Sequence, residues 1–579
     1  MFHKTITRFC QPLSPNRLLL RLKVKNQSEK YAYFVCYEEE GTSKIKAMFP
    51  TVRSRKHTYW QAEIELNQAG ACHYSFQCQT TAGELIETLG PFDYYWLEEN
   101  IHIIPEWVYD AILYQIFPDR FYNANHANDP VNVANWSDQP TLDNFFGGDL
   151  EGIAAKVSYL NSLGINLIWL NPIFAASSNH RYNTRDYLTI DPILGDKESF
   201  FNLTETLHQS GIRIILDGVF NHTGTDFFAF QDILANGERS FYKDWYYIQS
   251  FPVTISPRPN YVCWWDVPSL PKLNATNPLV KEYLLSTATF WLRVGKIDGW
   301  RLDVPNEIEP PFWVEFRQRV KAVNPDAYIV GEIWHDARFW LTRNYFDGVM
   351  NYLFRDLMVL CFAKKKLTLS KLDFLLGLIR LRYPEANNFG LLNMLGSHDT
   401  ARIITVFQEH LRVIPGYSGS YEEAVKHLQP ALIIQFAYPG IPHIYYGDEI
   451  GMTGGADPDC RRTFNWDPAT WNHQLHNLYK RLIYLRTMLQ PLRYGYFETL
   501  LTDDERSLYI FARRFKDEKV IVIINAGNQP LTITLTDELV DFGDMSWTEG
   551  LTDRQLQIVN RQATLTIEAN FGAILYRTQ

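Results

Sequence analysis

Arg301 and Asp303 lie one residue apart at the end of a short apolar run, Ile297-Asp298-Gly299-Trp300. An extended backbone sends both side chains to the same face. A guanidinium beside a carboxylate lowers the acid's pKa and keeps it ionised, the state a carboxylate nucleophile needs. A plain salt bridge at a strand end would leave the same trace, so the neighbours must decide. Three more carboxylates close apolar runs in the same way: Asp217 after Ile212 to Leu216, Glu332 after Ala327 to Gly331, and Asp399 beyond Leu391 to Leu395.

The spacing points to the elements that hold them. A parallel (β/α)8 barrel uses about 250 residues for eight strand-helix units, roughly 30 for each. Asp303 to Glu332 spans 29 residues, one unit, and Glu332 to Asp399 spans 67, about two units. Asp217 to Asp303 spans 86, one unit with an insertion. The four carboxylates are therefore expected at the carboxyl ends of strands 3, 4, 5 and 7, where barrel enzymes do their chemistry. Strand 1 is expected in Ala111 to Phe117, strand 2 in Ile165 to Leu170, strand 6 in Phe346 to Asn351 and strand 8 in His443 to Tyr446. The insertion, about residues 223–274, is too long and too aromatic for a solvated loop.

Four blocks, Asp217 to His222, Gly299 to Glu307, Gly331 to His335 and Gly396 to Thr400, resemble the four motif blocks of the α-amylase superfamily, in the same order. A fifth, Leu270 to Asn274, is similar to the one that marks the neopullulanase, cyclomaltodextrinase and maltogenic amylase branch. The resemblance runs from about Trp107 to Trp466. It implies a retaining hydrolase of α-1,4 bonds in cyclomaltodextrins, maltooligosaccharides or pullulan, with some transglycosylation. Such an enzyme sets two carboxyl groups across the scissile bond. Asp303 beside Arg301 suits the nucleophile, and Glu332 suits the acid, since burial beside an ionised Asp303 favours its protonated form. The resemblance assigns the same roles and implies that Asp399 and His398 bind sugar hydroxyls and steady the transition state. It further implies that Asp217 orients Arg301, and that His180, Tyr182, His222, Trp334 and His335 line the substrate. Asn183, where relatives usually have Asp, and Pro305, where they have a small residue, depart from the pattern. A trehalose or isomaltulose synthase would share the carboxylates, and a silent sugar-binding subunit would have lost one of them.

Asn123, Asn125, Asn128 and Asp129, with Gly147 and Asp149, bring amide, carboxylate and carbonyl oxygens together between strands 1 and 2, the donor set Ca²⁺ prefers. A solvated Asn-rich loop is the other reading. The calcium loop of the related enzymes has the same layout, often with Asp in place of Asn125. No redox cofactor is required.

At 579 residues the chain needs several cores. Alternating runs before residue 104 and after residue 492 suggest two flanking β-sandwiches around a catalytic domain over 105–491. In the branch it resembles, the amino-terminal domain closes over a second subunit, which implies a homodimer. A net charge of −10 without a basic run argues against nucleic acid or an anionic membrane as partner. Aromatic residues make up 15% of the chain, and their flat apolar faces suit stacking on sugars, although most must fill cores. Seven scattered cysteines without paired spacing read as reduced thiols, and the amino terminus has no apolar leader. Together these features predict a cytoplasmic protein.

Overall fold

The computed structural model describes all residues except 27–30, 40, 55, 68–69, 544–545 and 579. Two four-stranded antiparallel sheets come first. One is ordered Cys10–Ser14, Arg17–Lys25, His57–Glu65, Phe49–Arg53, and the other Thr42–Ala47, Tyr31–Glu39, Ala71–Thr80, Leu85–Tyr95. Cys72, Tyr74, Phe76 and Cys78 alternate into the shared core, where they meet Leu18, Leu20, Leu22 and Val35. The strand Arg17–Lys25 is buried over most of its length, Arg21 included, because its second face is covered as well. Arg21 reaches from that face to Glu385, 2.6 Å away. Phe9, Val52 and Tyr59 pack on Leu381 of the barrel helix Leu369–Arg382.

Eight parallel strands follow: β1 Leu113–Ile116, β2 Leu167–Leu170, β3 Arg213–Gly218, β4 Gly299–Leu302, β5 Tyr328–Gly331, β6 Gly348–Val349, β7 Leu392–Met394 and β8 Ile441–Tyr445. Hydrogen bonding joins them in the order β6-β5-β4-β3-β2-β1-β8-β7, and a parallel bridge from Met350 to Leu392 closes the ring. Alternation divides each strand. Leu113, Leu167, Trp169, Ile215, Tyr328, Val330, Met394 and Ile441 pack together inside the barrel. Tyr114, Ile168, Leu170, Ile214, Leu216 and Ile329 face the surrounding helices instead. Burial on both faces explains the unbroken apolar runs. At Gly299 a Cβ would lie 2.0 Å from the Tyr328 carbonyl oxygen, so only glycine lets β4 and β5 approach this closely.

Each strand falls within or beside its expected run. β6 is shorter than expected, two residues extended by the Met350 bridge. After β2, the antiparallel pair Phe174–Ala176 and Thr184–Ile190 carries residues 177–183 at its turn. The insertion after β3 holds the helix Phe228–Asn236, is tied to itself by the bridges Tyr246–Leu273 and Cys263–Pro271, and returns to the segment after β3 through the bridge His222–Lys272.

The carboxyl-terminal strands form a six-stranded and a three-stranded antiparallel sheet around Ile510, Ile521, Ile523 and Trp547. The larger sheet turns its other face, including Tyr509, Phe511 and Ile524, onto the main barrel core.

Candidate active site

Strand parity carries the site. Ile215 points inward, so Asp217 two residues on does too, and Arg301 is paired with Asp217 across β3 and β4. Val330 likewise sets Glu332 inward. Arg301 is fully buried, and its Nη1 donates to Asp217 Oδ1 at 2.8 Å and to Asp303 Oδ1 at 2.9 Å. Its Nη2 lies 2.8 Å from Glu332 Oε2, in ion-pair contact but off the axis of a hydrogen bond. One guanidinium therefore touches three carboxylates, and it lies over the Trp169 ring, 4.9 Å from the centroid.

Glu332 accepts two hydrogen bonds. Trp334 Nε1 donates to Oε1 at 2.9 Å and the Val304 backbone N–H to Oε2 at 3.1 Å. Val304 has φ +34°, a left-handed conformation rare for a β-branched residue, and this turn aims its N–H at Glu332. The Trp334 ring is part-exposed and stacks on Tyr352 with centroids 3.8 Å apart.

Asp399 follows β7 on a loop and is the most exposed of the four, its side chain 26% accessible. His398 Nε2 is 3.1 Å and Arg461 Nη2 3.6 Å from its Oδ1. Gln115 Nε2 lies 2.8 Å from His398 Nδ1, which makes that nitrogen the acceptor and puts the imidazole proton on Nε2. From Nε2 it faces the Tyr182 oxygen at 2.6 Å, and Tyr182 donates onward to Asp217 Oδ2 at 2.9 Å. Asn171 Nδ2 donates to the same phenol oxygen at 3.1 Å. The Tyr182 ring lies parallel to His398 with centroids 5.5 Å apart. His180 Nδ1 accepts from the Tyr182 N–H at 3.1 Å. Among the described residues His222 Nε2 is buried without a hydrogen-bond partner. His335 is exposed at the rim and belongs to none of these contacts. Asn183 is held locally, its Nδ2 donating to Ser177 Oγ at 2.7 Å.

Burial dominates the electrostatics. It raises the Asp217 carboxyl to about 6 against the pull of Arg301, and the Asp399 carboxyl to about 7 with help from the Glu332 charge. Burial and repulsion from Glu332 also hold the Asp303 carboxyl well above the ordinary range despite Arg301. The Arg-x-Asp spacing predicted the opposite direction, because spacing shows the cation and hides both the desolvation and the competing carboxylates. Burial lowers His180 and His222 to about 3 and takes His398 well below its ordinary value, so all three are neutral near pH 7.

In the loop after β1, Asn123 Nδ2 donates to Asp129 Oδ1 at 2.7 Å, which leaves Asn123 Oδ1 buried without a partner among the described residues. Asn128 Oδ1 is buried and unpartnered as well. Gly147 closes over them with φ +76°, and a Cβ there would lie 2.3 Å from Asp129 Oδ1. Asn125 Oδ1 accepts from the Ala127 N–H, and Asp149 caps a helix by accepting from the Gly152 N–H. Orphaned amide oxygens beside a carboxylate fit a hard cation.

Gln115, Asn171, Tyr352 and Arg461 were missed in the sequence. A polar residue inside an apolar barrel strand, as in Leu113-Tyr114-Gln115-Ile116, is a signal that would have found the first.

Residues 115–490 match the family model described as alpha amylase, catalytic domain, and residues 1–99 the alpha amylase N-terminal ig-like domain. Neopullulanase 2 of Thermoactinomyces vulgaris is 39% identical over 100% of this chain and 99% of its own. The intracellular maltogenic amylase of Bacillus subtilis is 39% identical over 84% of this chain and 80% of its own. A solved cyclomaltodextrinase superposes with a TM-score of 0.88 at 33% identity, covering 100% of this chain and 99% of that one. With a barrel, a carboxylate set and flanking domains of this kind, the chain belongs to the α-amylase family of glycoside hydrolases, in the branch of cyclomaltodextrinases, neopullulanases and maltogenic amylases.

Proposed function

We propose that the chain is a retaining α-glucan hydrolase that cleaves α-1,4 bonds of cyclomaltodextrins, maltooligosaccharides and pullulan and passes some glycosyl groups to sugar acceptors. The observation that carries this reading is the single guanidinium of Arg301 in contact with Asp217, Asp303 and Glu332. Burial and repulsion from Glu332 hold the Asp303 carboxyl above its ordinary range. A bound sugar sets its electron-poor anomeric carbon against Asp303, which favours the ionised form there, and its glycosidic oxygen against Glu332, the acid of the pair. Glu332 then protonates the leaving oxygen as an Asp303 oxygen bonds to the anomeric carbon. In the second half Glu332 takes a proton from water, the oxygen attacks the same carbon, and Asp303 leaves. A sugar hydroxyl in place of water gives transglycosylation.

Asp399, His398 and Arg461 hold ring hydroxyls, and Trp334 both fixes Glu332 and offers an aromatic face. The unpartnered His222 Nε2 supports a hydroxyl contact there. Chromatography of products from cyclomaltodextrin, pullulan and starch in parallel tests the reading. Shorter maltooligosaccharides are expected, with the cyclic substrate opened; isomerised disaccharides alone would overturn it.

The same reading extends to three further features. Calcium is proposed at Asn123, Asn128, Asp129 and Gly147, with Asn125 and Asp149 shaping the loop; the ion would stiffen the barrel and take no part in bond cleavage. A homodimer through the amino-terminal domain is supported by its outer sheet, where Thr42–Ala47 is exposed throughout and Ile45, Leu85 and Ile86 are each more than half exposed. Light scattering at the mass of one chain would remove it. A cytoplasmic location is supported by the name of the Bacillus relative and by seven free cysteines. Among the described residues no helix is long and apolar enough to cross a membrane.

A further inference from the structure

A cavity of about 880 Å³ opens among the loops after β1 and β8, between Trp136 and Trp471. Its size is that of a small-molecule site, yet none of Asp217, Arg301, Asp303, Glu332 and Asp399 lines it. Trp136 Nε1 donates to the Phe464 carbonyl at 2.8 Å and Trp471 Nε1 to the Asn465 carbonyl at 2.7 Å. Two adjacent carbonyls therefore pin both indoles by their polar edges. Trp136 also walls a second cavity of about 360 Å³, so its ring stands between two open spaces.

The rim is polar and ready for a ligand. Ser137 and Gln139 are exposed, and their side chains make no hydrogen bond among the described residues. Arg462 lines the cavity, but Asp459 already takes its charge, with contacts of 2.8 Å from Nε and 2.9 Å from Nη2. Asp138 adds a negative charge, so an anion finds no free cation. A fixed aromatic face edged by free hydroxyl and amide groups suits a neutral ligand with one apolar face and many hydroxyls, which describes a sugar ring.

We propose that this cavity is a second glucan-binding site, separate from the carboxylates, which holds a stretch of the α-glucan chain beyond the bond being cut. The choice of an α-glucan rests on the hydrolase reading above. Calorimetric titration of E332Q with maltoheptaose should show two binding events per chain. Adding W136A should remove one of them, and adding S137A and Q139A instead should weaken it about fivefold. In the otherwise unaltered enzyme, W136A should raise KM for starch about fivefold with kcat within twofold, and leave a short maltoside unaffected. A single event in E332Q, or two events unchanged in both variants, would overturn the proposal. The S137A and Q139A arm keeps the test valid if W136A does not fold. Two events in a protein whose unaltered form fails to shorten maltoheptaose would remove the hydrolase reading and leave the site standing.

Discussion

Asp303→Asn and Glu332→Gln each remove a group that acts only as the bond breaks, so each should lower kcat by about 10³ or more while the melting curve keeps its shape. Steady-state kinetics on a maltooligosaccharide checks this, and near-native turnover of folded Asp303→Asn would exclude that nucleophile. Asp399 carries a separate, pH-dependent consequence. Its carboxyl is raised to about 7 in the fold, against about 3.9 in an unfolded chain. Between those values the unfolded state releases a proton that the folded state keeps, so this group costs increasing stability as pH rises through the window. Asp399→Asn lacks that penalty. Its melting temperature relative to the parent should rise from about pH 4 to pH 7 and level off above, even as activity is lost. A constant difference across a thermal pH series would contradict the burial argument. The same burial explains what the sequence could not give: Arg301 was legible two residues from Asp303, but the sign of the net effect depended on three carboxylates meeting at one guanidinium.

The loop after β1 and the strand ends define the element scale. Orphaned oxygens on Asn123 and Asn128 beside Asp129 would be satisfied by an ion that binds the native state alone, adding about 2.7 kcal/mol at a hundredfold excess over Kd. Chelation should lower the melting temperature and leave the initial rate at moderate temperature nearly unchanged. Asn125→Asp should tighten binding by adding a carboxylate near the ring of oxygens. Identical melts with chelator and with millimolar Ca²⁺ would reduce the loop to a solvated turn. The barrel strands were legible because burial on both faces writes them as short apolar runs at near-regular spacing, and the carboxylates because each ends such a run. Gln115, Asn171 and Arg461 were not, since their roles depend on which strands and loops become neighbours, and β1 meets β8 across 328 residues between Gln115 and His443. Within a block, Trp334 was placed beside the substrate, but its hydrogen bond to Glu332 required the three-dimensional turn.

At the scale of the whole molecule, the amino-terminal sandwich is joined to the barrel by a buried charge as well as by Phe9, Val52 and Tyr59. Arg21 is 2% exposed at the side chain, and removing it would strand Glu385 in the joint. Arg21→Ala should destabilise the joint by about 3 kcal/mol and lower the first thermal transition. Arg17→Ala, at a part-exposed pair with Glu63, should shift it by less than about 1 kcal/mol. Differential scanning calorimetry separates the two, and equal shifts would deny the joint its importance. Alternation made the sandwich legible in the sequence. Its seat on the helix Leu369–Arg382 was not, because an outward-facing Leu or Arg in a strand looks the same whether water or another domain covers it. The central claim remains the covalent step at Asp303. In Glu332→Gln, a maltosyl fluoride needs no acid for its leaving group and should form the glycosyl-enzyme faster than it is hydrolysed. Peptide mass mapping should then find the maltosyl group on Asp303; a folded, substrate-binding variant with no adduct, or with the adduct on another carboxylate, would contradict the mechanism.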